Sequence, residues 1–399
     1  RVEFGKKEAA PSPVVAGLWT WSEARAEYLT DVARTKSPKT LIDYRGQLAV
    51  PELSRFNGRT VSSITLEEMA MAVEAVHDRG VERQAEHVAS VVRPFWKFLG
   101  SPSKRTASGV LPGAMRELKA PQRSRLLDGT EKQKAKYLPP MLEVGRIVAI
   151  ARSGVMHPQT AAAVELIAFT CQRVAQIVPA LRERFDEKHG LWSIPAPHRK
   201  TAMKRGDLAD HVLPLPAPAW RAVEKAVDWA VANGDDRVRN SRRVFPQLRA
   251  RRKTDKLDDL SQMADSTVSH AFSYMPGVNA TPHDLRRSFA TFGQEDLGFE
   301  DTQLKMILDH LEGRKSGDVT ATSYNLQHRI VPKTVVLEAW AAHVERHVEL
   351  AKAADPKLSD VVWLTRQIQI KQDIEKNMKP RHPTLKAGGA KALPSDRSS

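Results

Sequence analysis

Thr281-Pro282-His283-Asp284-Leu285-Arg286-Arg287-Ser288-Phe289-Ala290-Thr291 combines a helix start with two groups able to hold an anion. Pro282 fits the first turn of a helix, where its missing N–H has no intrahelical partner to lose. His283 and Arg286 stand three residues apart, on one face near that start. Leu285, Phe289 and Phe292 fall on another face and are expected in a core. An imidazole and a guanidinium beside the positive end of a helix dipole suit a phosphate. Alone, H-x-x-R is a common pattern, and its meaning depends on what surrounds it.

Downstream, Ile307-Leu308-Asp309-His310 reads as the end of one helix. Leu311–Gly317 reads as a loop and Asp318–Tyr324 as a short helix carrying a phenol. Upstream, Phe169-Thr170-Cys171-Gln172-Arg173-Val174-Ala175-Gln176 reads as a break after which Arg173 opens a helix. Residues 182–215 change to strand texture, with Arg184–Asp186, Leu191–Ile194 and His211–Leu215 as segments and Glu187–Gly190 as a turn. Lys200 lies near the tip of the hairpin Leu191–Leu215. In chain order the candidates are thus Arg173, Lys200, His283, Arg286, His310 and Tyr324. Together they offer two guanidiniums, an ammonium, two imidazoles and a phenol.

Further out, residues 17–100 show helical patterning throughout. Thr65-Leu66-Glu67-Glu68 has the capping-box form. Ala85, Val88, Val92, Phe95, Trp96 and Leu99 recur at spacings of three and four, with Pro94 expected to kink their helix. Residues 101–140 read as a basic linker, since Ser101–Lys136 holds nine Lys/Arg against three Asp/Glu. Helical patterning returns over 141–353, interrupted only by the strand-like stretch. Residues 354–399 read as a helix at 356–378, able to pack on its own domain or on a neighbour, and then a disordered Lys/Pro/Gly/Ser tail. Residues 1–16 read as a flexible lead-in, and a chain starting at Arg1 is expected to have a longer natural N-terminus. The expected fold is mainly α with a small β-sheet.

The 399 residues include 62 Lys/Arg and 47 Asp/Glu, a formal charge of +15. That balance suits a polyanionic partner. One cysteine, Cys171, excludes an intrachain disulfide and points to a reducing compartment, so a cytoplasmic protein is expected. No apolar stretch approaches the ~20 residues of a membrane span, and no secretory signal is seen.

The order of these motifs resembles the tyrosine recombinase (phage integrase) family: Arg, hairpin Lys, H-x-x-R, second His, Tyr. Thr281–Thr291 is similar to the family's most specific motif almost throughout. Gly317–Asn325 and Leu337–Val344 look like prophage integrases. The likeness is strong over about 140–350, while 17–100 is similar to the helical core-binding domain only in size and pattern. The resemblance implies an all-helical core-binding domain, an α+β catalytic domain and, before Trp19, at most a remnant of an arm-binding region. It implies double-stranded DNA cut and rejoined through a 3′-phosphotyrosine, with Tyr324 as nucleophile and no metal or nucleotide cofactor. It further implies two domains clamping the duplex, a homotetramer on DNA, and sometimes an accessory DNA-bending protein. Lys200 is the expected general acid, with Lys204 as the alternative. The sequence departs from the family at Cys171, usually Gly, at Gln176, often acidic, and at Asp309, usually Gly. A type IB topoisomerase with the same chemistry, and a non-catalytic DNA-binding regulator on the same fold, are the alternative readings.

Overall fold

The computed structural model describes residues 18–122, 137–199, 202, 208–250, 254, 256–309 and 329–378. The lead-in, part of the expected linker, Lys200, Lys204, His310, Tyr324 and the tail beyond Met378 lie outside the described residues. The chain divides into two compact units, residues 1–134 and 135–399.

The first unit is helical, with α1 (Trp21–Thr35), α2 (Pro38–Gln47), α3 (Leu66–Asp78), α4 (Glu82–Leu99) and the short α5 (Arg105–Ser108). Hydroxyl caps start α1 and α3. Thr20 and Thr65 each accept from the backbone three residues on, and Glu23 and Glu68 reach back to the cap backbone. Such reciprocal caps satisfy donors that would otherwise be orphaned. Arg59 grips the Glu68 carboxylate with two nitrogens at 2.6 and 3.0 Å. The core is aromatic, with Trp21 against Phe95, Phe56 and Trp96 at centroid separations of 5.4–5.8 Å. The first part of the stretch read as linker is packed, because its apolar residues have a core to join: Val110, Met115 and Leu118 are buried among the helices of this unit. Composition made 101–120 look like a tether because basic residues flank these anchors and Pro and Gly are interspersed among them.

The second unit opens with α6 (Met141–Arg152), α7 (Pro158–Thr170) and the single turn α8 (Val174–Ile177). A three-stranded antiparallel sheet follows, β1 (Phe185–Asp186), β2 (Leu191–Ile194) and β3 (His211–Pro214), in that spatial order. Trp192 pairs with Phe185 on one side and Leu213 on the other. Trp192 and Ile194 alternate into the core, and Phe185 stacks on Trp192 at 5.4 Å. Then come α9 (Ala217–Asn233), α10 (Asp236–Arg239), α11 (Asp265–Tyr274), α12 (Pro282–Glu295), α13 (Asp301–Ile307), α14 (Ile330–Ala354) and α15 (Val361–Met378).

Helix α14 runs through the centre of this unit, packed on α6, α7, α13 and β3. Its inward stripe is Lys333, Val336, Leu337, Trp340, Val344, Val348 and Ala351. Trp340 donates to the Ala168 carbonyl at 2.9 Å and meets Phe289 edge-on at 5.1 Å. Helix α15 packs on its own unit through buried Leu364. Glu375 accepts from Tyr274, and Lys371 donates to the Met275 carbonyl at 2.5 Å. Val362, Ile370 and Ile374 on that helix are exposed. Among the described residues, no helix is long and apolar enough to cross a membrane.

Candidate active site

Helix α12 is fixed at its start by three anchors. The Thr281 N–H and hydroxyl both donate to Asp284 Oδ2, at 2.8 and 2.6 Å. Glu143 on α6 accepts from the Asn279 and Ala280 N–H groups at 2.7 and 2.8 Å, and also from Tyr137. Ser288 donates to the Pro139 carbonyl at 2.8 Å. Leu285 and Phe289 are buried and Phe292 packs against the same core, as the spacing requires. This bracing holds His283 and Arg286 in place relative to the rest of the unit.

Arg286 is only 3% exposed. Its guanidinium donates to the Cys171 carbonyl and, at 2.8 Å, to the Leu308 carbonyl. It therefore ties together the end of α7, the end of α13 and its own helix. Cys171 stands two residues before Arg173, whose backbone N–H donates to Gln176 Oε1 at 3.0 Å. An amide oxygen thus serves where the resemblance leads one to expect a carboxylate. Burial, and then the like charge of Arg173, push the Arg286 pKa down to about 10, so it stays cationic at neutral pH. Burial followed by Arg286, Arg287 and Arg173 pushes His283 below the usual imidazole range. Three of the six candidates, Arg173, His283 and Arg286, drawn from two chain segments, thus lie within electrostatic reach of one another. Guanidiniums that feel each other's like charge are relieved by taking up an anion.

Two of the three departures from the pattern the resemblance led one to expect, Cys171 and Asp309, fall on unusual backbone. Cys171 has φ 54° and Asp309 has φ 52°, both left-handed. Glycine adopts that conformation without cost, whereas other L-residues pay roughly 1–2 kcal/mol.

A buried polar cluster that the sequence did not reveal lies next to Arg286. Arg199 forks onto Asp309 with Nε–Oδ2 at 3.0 Å and Nη2–Oδ1 at 2.6 Å. His211 contacts the Ile307 carbonyl at 3.2 Å through Nε2, which must carry the proton because a carbonyl only accepts. Lys333 donates to the Val212 carbonyl at 2.6 Å. Burial pushes His211 down to about 3 and Lys333 down to about 8. One signal for Lys333 was available: it occupies a core position of the α14 apolar stripe, one turn before Leu337. Arg199 and Asp309 had none, since they are 110 residues apart.

No family model matches the chain, and neither does any curated protein. Solved structures do match. A lambda integrase(75–356) dimer bound to a COC′ core site superposes with TM-score 0.50 and 17% identity, covering 74% of this chain and 96% of that one. The Tn1549 transposon integrase in complex with a circular intermediate DNA gives TM-score 0.52 and 10% identity, covering 73% of this chain and 92% of that one. The same integrase with transposon right end DNA gives TM-score 0.51 and 12% identity, covering 82% and 99%. At identities this low the likeness is one of fold.

Proposed function

We propose that this chain, which has the tyrosine recombinase fold, is a site-specific DNA strand-exchange enzyme that integrates or excises a mobile element. The observation that supports the reading most is the mutual electrostatic reach of Arg173, His283 and Arg286, with Arg286 held by the Cys171 and Leu308 carbonyls, on a fold whose solved examples include DNA-bound integrases. A phenol with pKa near ~10 is a poor nucleophile at neutral pH. Surrounding cations favour its phenolate and neutralise a phosphate diester together. In the proposed reaction Tyr324 Oη attacks the scissile phosphorus. The bond to the 5′ oxygen breaks, and a 3′-phosphotyrosine forms. Arg173 and Arg286 hold the nonbridging oxygens, where charge builds, each such donor contributing on the order of 3 kcal/mol. Lys200 delivers the proton to the leaving 5′ oxygen. His283, held neutral, assists proton transfer, and His310 hydrogen-bonds the phosphate. The covalent link keeps the bond energy, so a 5′-hydroxyl from a second duplex reverses the step without metal or nucleotide.

The proposed assembly is a homotetramer on two duplexes in the cytoplasm, with an accessory DNA-bending protein where the site demands one. The test is covalent capture. A pool of random-sequence suicide duplexes, each nicked so that the cut fragment diffuses away, is incubated with the chain and resolved under denaturing conditions. The parent is expected to yield a stable adduct on a subset of sequences. Tyr324→Phe should bind the same duplexes and yield none. Equal adduct from Tyr324→Phe removes Tyr324 as nucleophile.

A further inference from the structure

We propose that Arg199 and Asp309 are a positioning pair that sets the register between two catalytic groups, an inference that rests on the function proposed above. Each partner immediately precedes one of those groups in the chain: Arg199 precedes Lys200, and Asp309 precedes His310.

The geometry is that of a clasp. The Arg199 guanidinium meets the Asp309 carboxylate with two parallel hydrogen bonds, and both side chains are 5% exposed. Its remaining nitrogen, Nη1, donates to the Ala209 carbonyl at 2.6 Å. One guanidinium therefore joins residue 199, residue 209 and residue 309. The first two bracket the segment that contains Lys200, and the third ends the turn that leads to His310. The same turn is held from other directions. Leu308 accepts from Arg286, and Ile307 accepts from Gln172 at 2.9 Å and from His211. Arg199, Arg286, Gln172 and His211 thus converge on three consecutive residues, 307 to 309.

Stability alone is a poor reason for such a pair. A buried ion pair is often no more stabilising than apolar residues of the same volume, because desolvation offsets the attraction. Lys333 adds a third charged group to the same cluster. Asp309 also occupies a left-handed turn where glycine would be unstrained. What a planar fork on a carboxylate supplies, and an apolar contact does not, is a fixed direction.

The pair predicts a leaving-group-specific defect. In the cleavage step the Tyr324 O–P bond forms, the P–O5′ bond breaks, and a proton from the general acid goes to O5′. When sulfur replaces that bridging oxygen, the thiolate leaves without a proton, because its conjugate acid is far stronger. A misplaced general acid is therefore rescued by sulfur, whereas general loss of structure is not. The full chain is tested on a duplex recovered by the parent in the capture experiment above, made with 5′-bridging oxygen or 5′-bridging sulfur. Asp309→Asn and Arg199→Lys are expected to cleave the oxygen duplex on the order of 10²-fold more slowly than the parent. On the sulfur duplex they should come within about threefold of it, as a lost proton donor requires. If either single variant melts early, the triple variant Arg199→Met with Asp309→Gly and Lys333→Met, which removes the charges of the cluster together, takes its place with the same pattern expected. Equal loss on both duplexes, or no loss on oxygen, overturns the pair's role. A parent that captures no duplex at all overturns the functional reading and the pair together, before any variant is compared.

Discussion

At the scale of single residues, burial lowers the pKa of the imidazoles His211 and His283 while the buried guanidinium of Arg286 stays charged. Arg286 illustrates the second half. It is buried yet has carbonyl acceptors at Cys171 and Leu308. Arg286→Lys replaces a planar fork with one compact ammonium that cannot span both carbonyls and a phosphate. The expected result is a loss of covalent adduct on the order of 10²-fold or more, measured in single turnover on captured duplex, with duplex affinity changed far less. His211 illustrates the first half. Burial, with Lys333 and Arg199 nearby and Asp309 opposing them, holds it neutral down to about pH 3, against about 6.5 when unfolded. Between those values the unfolded chain binds the extra proton, so stability falls as pH falls. From pH 7 to pH 5 this single group should remove about 2 kcal/mol. His211→Gln should flatten that part of the urea-denaturation profile. An unchanged slope would mean that His211 already titrates normally in the folded chain. Lys333, held at about 8, acts with the same sign, its stability cost being relieved as pH rises from 8 toward 10.5.

At the scale of elements, patterning made the helices readable and packing decided how close they lie. The capping box at Thr65 and the Pro282 start were visible as local chemistry, and β2 and β3 as strand-like texture, whereas the capping box at Thr20 was not read from the sequence. Gly145 could not be interpreted that way, because its role is set by a helix two hundred residues on. A Cβ placed there would lie 2.1 Å from the His347 carbonyl oxygen. That atom belongs to the backbone of α14, so relief requires α6 and α14 to move apart. Gly145→Ala, neutral or favourable for an isolated helix, should instead destabilise this unit by about 1–3 kcal/mol, read as a lower urea midpoint at unchanged m-value. The stretch 101–120 failed to show its packing for a related reason. Val110, Met115 and Leu118 follow no helical or strand period, and only the finished helical unit supplies the surface that buries them.

At the scale of the whole molecule, the order of chemically distinctive residues revealed the fold sooner than any propensity did. Arg173, His283 and Arg286 stand out in the sequence because few arrangements need those types in that order. The Arg199–Asp309 fork was not recognisable, because a fork between residues 110 positions apart exists only once the chain is folded. Charge is the other property belonging to the molecule as a whole. A surplus of +15 is compatible with mere solubility or with a polyanionic partner, and the two differ in how they respond to salt. Each phosphate neutralised releases condensed counterions, giving a slope of about −0.9 in log K against log salt. A duplex-binding surface engaging about six phosphates should therefore lose on the order of 10³-fold in affinity between 50 and 200 mM salt. Fluorescence anisotropy with a captured duplex and the full chain measures this directly. Tyr324→Phe changes no charge and should reproduce the parent's slope while forming no adduct, separating binding from chemistry in one titration. A slope shallower than about −2 would leave the surplus charge as a solubility device, and would place recognition of the duplex on contacts other than phosphates.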